Sequence, residues 1–288
     1  MTKQRSFLKW AGGKYNLIEP ITAMLPDGNK LIEPFVGAGS VFLNTDYSKY
    51  LLNDVNPDLI TLFKYVKRRP KRFIEDARKL FTAANNTAEA YYSLRQQFNQ
   101  SCDPYERSLL FLYLNRHGYN GLCRYNLSGQ FNVPFGQYLR PYFPQTELEL
   151  FAEKAQHATF TCMSFEHVFR RARKGDVIYC DPPYAPLSLT ANFTSYASGG
   201  FTLDDQSELA RRAEAAAYKR GIPVLISNHD TDFTRLLYRR AQLSKLQVSR
   251  FISPNADSRG KVAELLALYS RAHDNVVPLT ARIRKLAP

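Results

Sequence analysis

Asp181-Pro182-Pro183-Tyr184 gathers three kinds of chemistry into four residues. It follows the apolar run VIYC, and proline cannot donate to a sheet ladder, so a strand has to stop here. The two prolines make a stiff loop at the end of a strand, where open α/β sheets place their ligands. Two rigid acceptors, the Asp181 carboxylate and the Pro182 carbonyl, can take both hydrogens of an exocyclic amino group. The Tyr184 ring can stack on the base that carries the amino group. These are the parts needed to hold and activate an extruded adenine. A turn that merely leaves a strand is the alternative reading of the tetrapeptide by itself.

A second constellation lies upstream. In Glu33-Pro34-Phe35-Val36-Gly37-Ala38-Gly39-Ser40 two glycines let the backbone pass close to a ligand. Asp54 stands 15 residues after Gly39, where a carboxylate can accept ribose hydroxyls. The turn lacks the third glycine of the dinucleotide fingerprint, so alone it also fits a structural tight turn. Lys9-Trp10-Ala11-Gly12-Gly13-Lys14 pairs two glycines with two lysines and an indole. That segment reads equally as a ligand wrap or a surface turn.

These residues need an α/β frame to position them. Strands are predicted at 30–33, 50–53, 159–163, 176–180, 222–227, 243–250 and 262–269. Helices are predicted at 147–156, 203–220 and 231–241. Between them the pattern changes: 58–79 reads as one basic helical stretch, 88–100 and 105–116 as helices, and 117–144 as loop. The simplest architecture is a catalytic domain formed by 1–57 and 145–270, interrupted by a mostly helical insertion over 58–144. Residues 271–288 form a basic tail, predicted to be frayed.

The chain has 288 residues, with 39 Lys+Arg against 26 Asp+Glu, a net charge of +13 that favours polyanionic partners. No apolar run approaches the roughly 18 residues of a spanning helix, and MTKQRSFLKW has no apolar signal region, which leaves a cytoplasmic protein as the expectation. Cys102, Cys123, Cys162 and Cys180 form no C-x-x-C pair, and no metal-ligand spacing appears with the five His, so no metal is expected. From Arg107 to Thr146 there is no Asp or Glu, while the same 40 residues hold four Arg, nine Tyr/Phe and four Asn. Such a surface suits DNA reading: Arg fits guanine, Asn fits adenine or phosphate, and an apolar Pro or Leu fits a thymine methyl. Inside a helix, Phe111 and Tyr113 read as core. The charge runs at 67–72 and 170–174 read as solvated helix faces or caps, with a nonspecific phosphate track as the alternative.

KWAGGK, EPFVGAGS, NDVN and YCDPPY occur in the order expected of the alpha group of S-adenosylmethionine-dependent amino-methyltransferases. FLYLNRHGYNGLCRYN, FNVPFG, RPYFP, TANFTSY (190–196), PVLISNHD and VAELLALY extend the likeness over residues 5–269. The chain resembles the bacterial DNA adenine methyltransferases (Dam type) that modify GATC. The resemblance implies a Rossmann-like seven-stranded methyltransferase sheet, S-adenosylmethionine as cofactor and double-stranded DNA as partner. It also implies direct methyl transfer to N6 of a flipped adenine. A monomer suffices for that reaction, and no protein partner is needed. Carried over by position, Trp10 and Lys14 line the methionine side of the cofactor. Phe35, Gly37 and Gly39 shape its bed, Asp54 holds its ribose, and Phe165 packs on its adenine. Asp181, Pro182, Pro183 and Tyr184 are catalytic, Asp181 also facing the cofactor. Lys9, Tyr119, Asn120, Leu122, Arg124, Pro134 and Tyr138 would read the target. Arg95, Arg116, Asn126 and Asn132 would hold phosphates. Gln137 stands where relatives often carry a cation, and Arg140 is its candidate replacement. Relatives acting on cytosine usually have Ser before Pro-Pro, so Asp181 favours adenine over N4-cytosine. RNA amino groups are a further alternative. A nicotinamide dehydrogenase leaves DPPY and the acid-free stretch unexplained, and a catalytically dead DNA-binding regulator conflicts with an intact DPPY.

Overall fold

Four of the strands, at 30–33, 49–53, 176–180 and 224–229, are runs of buried residues without alternation, the pattern of a sheet covered on both faces. The computed structural model describes residues 3–185, 200–248 and 262–271. The motif TANFTSY, the end of the strand predicted at 243–250, and the tail beyond residue 271 lie outside the described residues. The strands are β1 (Lys30–Glu33), β2 (Lys49–Asn53), β3 (Ala158–Thr161), β4 (Asp176–Cys180), β5 (Val224–His229), β6 (Gln242–Val248) and β7 (Val262–Tyr269). All five residues of β4 are buried. The seven strands follow the order β3-β2-β1-β4-β5-β7-β6. β1 pairs parallel with β2, β2 with β3 and β4 with β5, whereas β7 runs antiparallel to both β5 and β6. This α/β class and its seven strands are those expected.

The chain divides into two compact units, residues 1–23 with 30–168 and residues 24–29 with 169–288. The first unit holds β1–β3 and the helices α1 (Ile18–Met24, all but its last residue), α2 (Ser40–Leu43), α3 (Pro57–Arg68), α4 (Pro70–Arg78), α5 (Ala88–Gln100), α6 (Pro104–His117) and α7 (Gln145–Lys154). Its core is aromatic. Phe63 of α3 lies 4.7 Å from Phe151 of α7 and 5.5 Å from Phe160 of β3, and Phe7 packs edge-on against both Phe63 and Phe151. Helix α3 therefore buries Leu59, Ile60, Leu62, Phe63 and Val66 in the same unit as the strands. Each such side chain contributes about 1.5–3 kcal/mol.

The helical stretch predicted at 58–79 is two helices. Pro70 excludes the helical conformation at the residue before it, and Arg69 accordingly sits at φ −141°, ψ 56° between α3 and α4. The 117–144 stretch is more ordered than a loop. Asn132 N–H donates to the Arg124 carbonyl (3.1 Å) and Asn126 N–H to the Gln130 carbonyl (2.9 Å). Tyr125 and Phe131 form an antiparallel bridge, making a hairpin whose tip carries Gly129 at φ 72°. Alternation of apolar residues is too short there to announce strands.

The second unit holds β4–β7 with α9 (Leu203–Glu214) and α10 (Asp232–Leu237); α8 (Phe165–Arg171) begins in the first unit and ends in the second. Both α9 and α10 start with reciprocal capping boxes, Thr202 with Asp205 and Thr231 with Thr234. Among the described residues no helix is long and apolar enough to cross a membrane.

Candidate active site

In the first unit the predicted cofactor residues gather beyond the C-terminal ends of β1, β2 and β3. Gly37 and Gly39 have φ 48° and 74°, a left-handed backbone that only glycine adopts without strain. A Cβ on Gly37 would stand 3.0 Å from the Trp10 indole nitrogen, so the glycine lets the indole lie directly on the turn. Asp54 ties the same turn down: Oδ2 accepts Gly37 N–H (3.1 Å) and Oδ1 accepts Asn56 N–H (3.0 Å). Burial pushes the Asp54 carboxyl above its usual range, opposed by those backbone donors. Each carboxylate oxygen has lone-pair capacity for a further donor. Phe35 and Phe165 pack with ring centroids 5.6 Å apart, leaving no room for a third ring between them. Lys14 is buried and its ammonium donates to the Gly12 carbonyl (2.6 Å), folding the Gly-Gly segment onto itself.

Asn53 is the residue that holds these ends together, and sequence reasoning missed it. Fully buried, its amide donates to the Pro34 and Met163 carbonyls (both 2.9 Å) and accepts from the Thr161 hydroxyl and Met163 N–H. All its hydrogen-bonding capacity is used on the loops after β1 and β3. Its place in NDVN beside Asp54 was the only available signal.

The predicted DNA-contacting residues also belong to the first unit. Lys9 extends over the Tyr138 ring, its ammonium 3.8 Å from the centroid, and Tyr138 Oη accepts Asn120 N–H (2.9 Å). Burial and the neighbouring Arg116 charge lower the Lys9 pKa. Asn120 takes φ 53°, an uncommon value for a side-chain-bearing residue, at the tip of the 119–121 turn. Tyr119 is 51% exposed. Pro134 is exposed and its carbonyl accepts Tyr119 N–H (2.9 Å), so these two residues share one edge. Leu122 is half-buried just after the turn. Arg124 is exposed on the hairpin, its guanidinium held by Asn132 Oδ1 (2.7 Å).

Several cations and amides of the predicted surface are spent on the fold. Arg116 is 8% exposed and donates to the Tyr142 carbonyl (3.1 Å). Arg95 donates to the Val133 carbonyl (2.9 Å) and lies over the Tyr92 ring. Asn126 Oδ1 accepts Ser128 and Gln130 N–H, bracing the hairpin turn. Arg107 forms a two-pronged bond to Asp58 (2.9 and 3.0 Å), which also accepts from the Tyr125 hydroxyl (2.7 Å). The absence of acids from 107–146 therefore does not leave all four arginines available, because Asp58 comes from α3.

In the second unit, Asp181-Pro182-Pro183-Tyr184 leaves the end of β4 as expected, and both of its flanks are pinned. Gln206 donates to the Pro183 carbonyl (2.7 Å), and Asn228 accepts Ala185 N–H (3.0 Å) while donating to Gln206 (3.0 Å). The Tyr184 hydroxyl donates to Glu264 (2.8 Å), and its ring meets His229 edge-on at 4.7 Å. Burial, then the Asp181 and Glu264 charges, hold the Tyr184 hydroxyl well above its ordinary pKa, so it remains a donor. Gln206, Asn228, His229 and Glu264 lie 22 to 80 residues beyond the motif they support, so sequence spacing gave no sign of them. Among the described residues no cluster of three or more His, Cys, Asp or Glu could hold a metal.

An α/β sheet with this strand order, a glycine turn after its first strand and a carboxylate after its second, defines the Rossmann-like methyltransferase class. Residues 10–252 match the family model for D12 class N6 adenine-specific DNA methyltransferases, and the chain belongs to that family. It is 62% identical over 270 residues to a protein of Vibrio cholerae named DNA adenine methylase, covering 94% of this chain and 98% of that one. The protein of the same name from Escherichia coli K12 is 59% identical over 269 residues, covering 93% and 96%. That of Serratia marcescens is 57% identical over 269 residues, covering 93% and 100%. The protein is therefore an adenine-specific DNA methyltransferase.

Proposed function

We propose that the protein moves a methyl group from S-adenosylmethionine to the N6 amino group of an adenine flipped out of GATC in double-stranded DNA, as a cytoplasmic enzyme that needs no partner subunit. When bound, the cofactor supplies a methyl carried on a cationic sulfur. The residues of the first unit fit such a group. The bare glycine turn admits close approach of a ligand to the backbone, and Asp54 offers acceptors for ribose hydroxyls. Trp10, Lys14, Phe35 and Phe165 complete the proposed bed.

The observation that carries the catalytic reading is the pinning of the DPPY loop. Gln206 engages the Pro183 carbonyl, whereas among the described residues the Pro182 carbonyl takes no hydrogen bond. In the proposed mechanism Asp181 Oδ and the Pro182 carbonyl each accept one N6 hydrogen. This draws the amino nitrogen away from planar conjugation with the ring and exposes its lone pair to the methyl. The gain is one of positioning and electrostatics. Tyr184, fixed by Glu264 and His229, offers its ring to the base. The proton lost from N6 after transfer leaves through Asp181. No covalent enzyme intermediate is required, and buried Cys180 only ends β4.

Lys9, Tyr119, Asn120, Leu122, Arg124, Pro134 and Tyr138 are the proposed readers of the target. Arg95, Arg116, Asn126 and Asn132 serve the phosphates, the first three while also bracing the surface they belong to. The domain reading that goes with this function has residues 58–144 as the target-recognition part within a discontinuous catalytic domain.

Incubating the protein with S-adenosylmethionine and unmethylated plasmid, then digesting with nucleases that distinguish methylated from unmethylated GATC, tests the whole reading. Protection is expected, and loss of protection in Asp181→Ala with DNA binding retained. Continued cutting by the methylation-blocked nuclease rejects the GATC assignment. Label appearing on cytosine or RNA instead of adenine rejects the substrate.

A further inference from the structure

Asn115 sits in the last turn of α6, just after the apolar run LLFLYL, 1% exposed, with no surface from which to touch DNA. Its amide is spent on the main chain of Lys9, far away in sequence, and of Gly121, just past the helix. Nδ2 donates to the Lys9 carbonyl (2.7 Å) and the Gly121 carbonyl (3.2 Å), and Oδ1 accepts Lys9 N–H (2.9 Å). The pair of bonds to Lys9 grips that residue as a neighbouring strand would. From this grip the Lys9 side chain runs over Tyr138, whose hydroxyl in turn fixes Asn120. Gly121 is pressed against the same stem: it has φ +62°, and a Cβ there would lie 2.1 Å from Lys9 Cβ. Lys9, the 119–121 turn and Tyr138 thus form a closed ring of contacts around one buried amide.

We infer that Asn115 is a positioning residue for target specificity, acting through Lys9 and Gly121. The inference rests on the reading of Lys9, Tyr119, Asn120 and Tyr138 as base contacts. A buried polar group in an apolar helix is retained only when its bonds are made. Here the bonds do not serve the helix; they join the N-terminal segment to the reading turn. Losing the amide leaves two carbonyls and one N–H to find other partners and lets Lys9 and the turn move independently. Base contacts tolerate displacements of only a few tenths of an ångström before bidentate geometry fails. Discrimination is then lost at more than one base pair together.

The test measures single-turnover kcat/KM of wild type, Asn115→Ala, Asn115→Asp, Lys9→Ala and the Asn115→Ala/Lys9→Ala double variant. Substrates are GATC duplexes and duplexes substituted singly at each base pair, with thermal melts of every protein alongside. Asn115→Ala is expected to lower the GATC-to-substituted ratio by roughly 5- to 150-fold at two or more positions, the range of a well-made base contact. Asn115→Asp, held protonated by burial and the facing carbonyls, keeps the acceptor for Lys9 N–H and one of the two donors, so it falls between. It is also the deciding variant if alanine prevents folding. Lys9→Ala added to Asn115→Ala costs little further, because the two act as one unit. A uniform loss on all duplexes with the ratio unchanged makes Asn115 a purely structural residue and overturns the inference, as does additivity of the two substitutions. A wild type that shows no preference for GATC overturns both this inference and the reading beneath it.

Discussion

His117 offers a prediction whose size follows from its surroundings. It is 1% exposed near the end of α6, stacked on Tyr113 at 4.0 Å and meeting Phe81 edge-on at 4.8 Å. Its Nδ1 lies 3.0 Å from the Tyr113 carbonyl, which can only accept, so the neutral ring carries its proton on Nδ1. Burial, reinforced by the Arg116 and Lys9 charges and opposed by that hydrogen bond, pushes the imidazole down to about 4. An unfolded histidine titrates near 6.5. The sign follows from proton counts. Below about pH 6.5 the unfolded chain binds a proton that the fold refuses, so stability falls with acid until about pH 4, where the folded ring also protonates. At about 1.36 kcal/mol per pH unit the loss is roughly 2 kcal/mol between pH 7 and pH 5. That is a sizeable part of an ordinary 5–15 kcal/mol total. His117→Phe preserves the stack and removes the titration. Urea unfolding of both proteins at pH 7, 6 and 5 and constant ionic strength should show the wild type losing about 2 kcal/mol more than the variant. Parallel losses would refute the buried neutral histidine.

Four other outcomes are expected. Gly37→Ala forces a left-handed alanine and drives Cβ toward the Trp10 indole, so S-adenosylmethionine affinity measured by calorimetry should fall at least tenfold, about 1.4 kcal/mol, with little change in DNA affinity. Tyr184→Phe strands the buried Glu264 carboxylate and should reduce kcat more than KM; an unchanged kcat argues against the pinned loop. Arg124→Ala should relax discrimination at one base pair by about 1–3 kcal/mol, and equal discrimination at every position removes Arg124 from the readers. Arg107→Ala should destabilise the first unit by about 3 kcal/mol by leaving Asp58 without its main counter-charge. It should leave the salt dependence of DNA binding as it was, and a reduced slope means that Arg107 does contact phosphate.

The sequence by itself determined the strand-ending DPPY, the glycine turn and the acid that follows it. Each is a local demand: proline ends a ladder, and glycine takes φ 48° or 74° without strain. The strands at 176–180 and 262–269 were legible for a related reason, since a largely buried strand needs a mostly apolar run such as VIYC or LLALY. The break at Arg69 was readable from Pro70 and was passed over because helical apolar spacing continues on both sides. Tertiary structure alone decided which polar groups remain for DNA. Arg107 counted among the four arginines of the acid-free stretch until Asp58 met it from a different helix, and Asn115 among its four asparagines until its amide closed on Lys9 and Gly121. It alone also showed that the DPPY loop is braced by Gln206, Asn228 and Glu264. The physical reason is the same in each case. Backbone conformation is set by a residue and its immediate neighbours, whereas a buried charge or amide must be satisfied by whichever partner the folded chain brings, and sequence spacing does not record that partner.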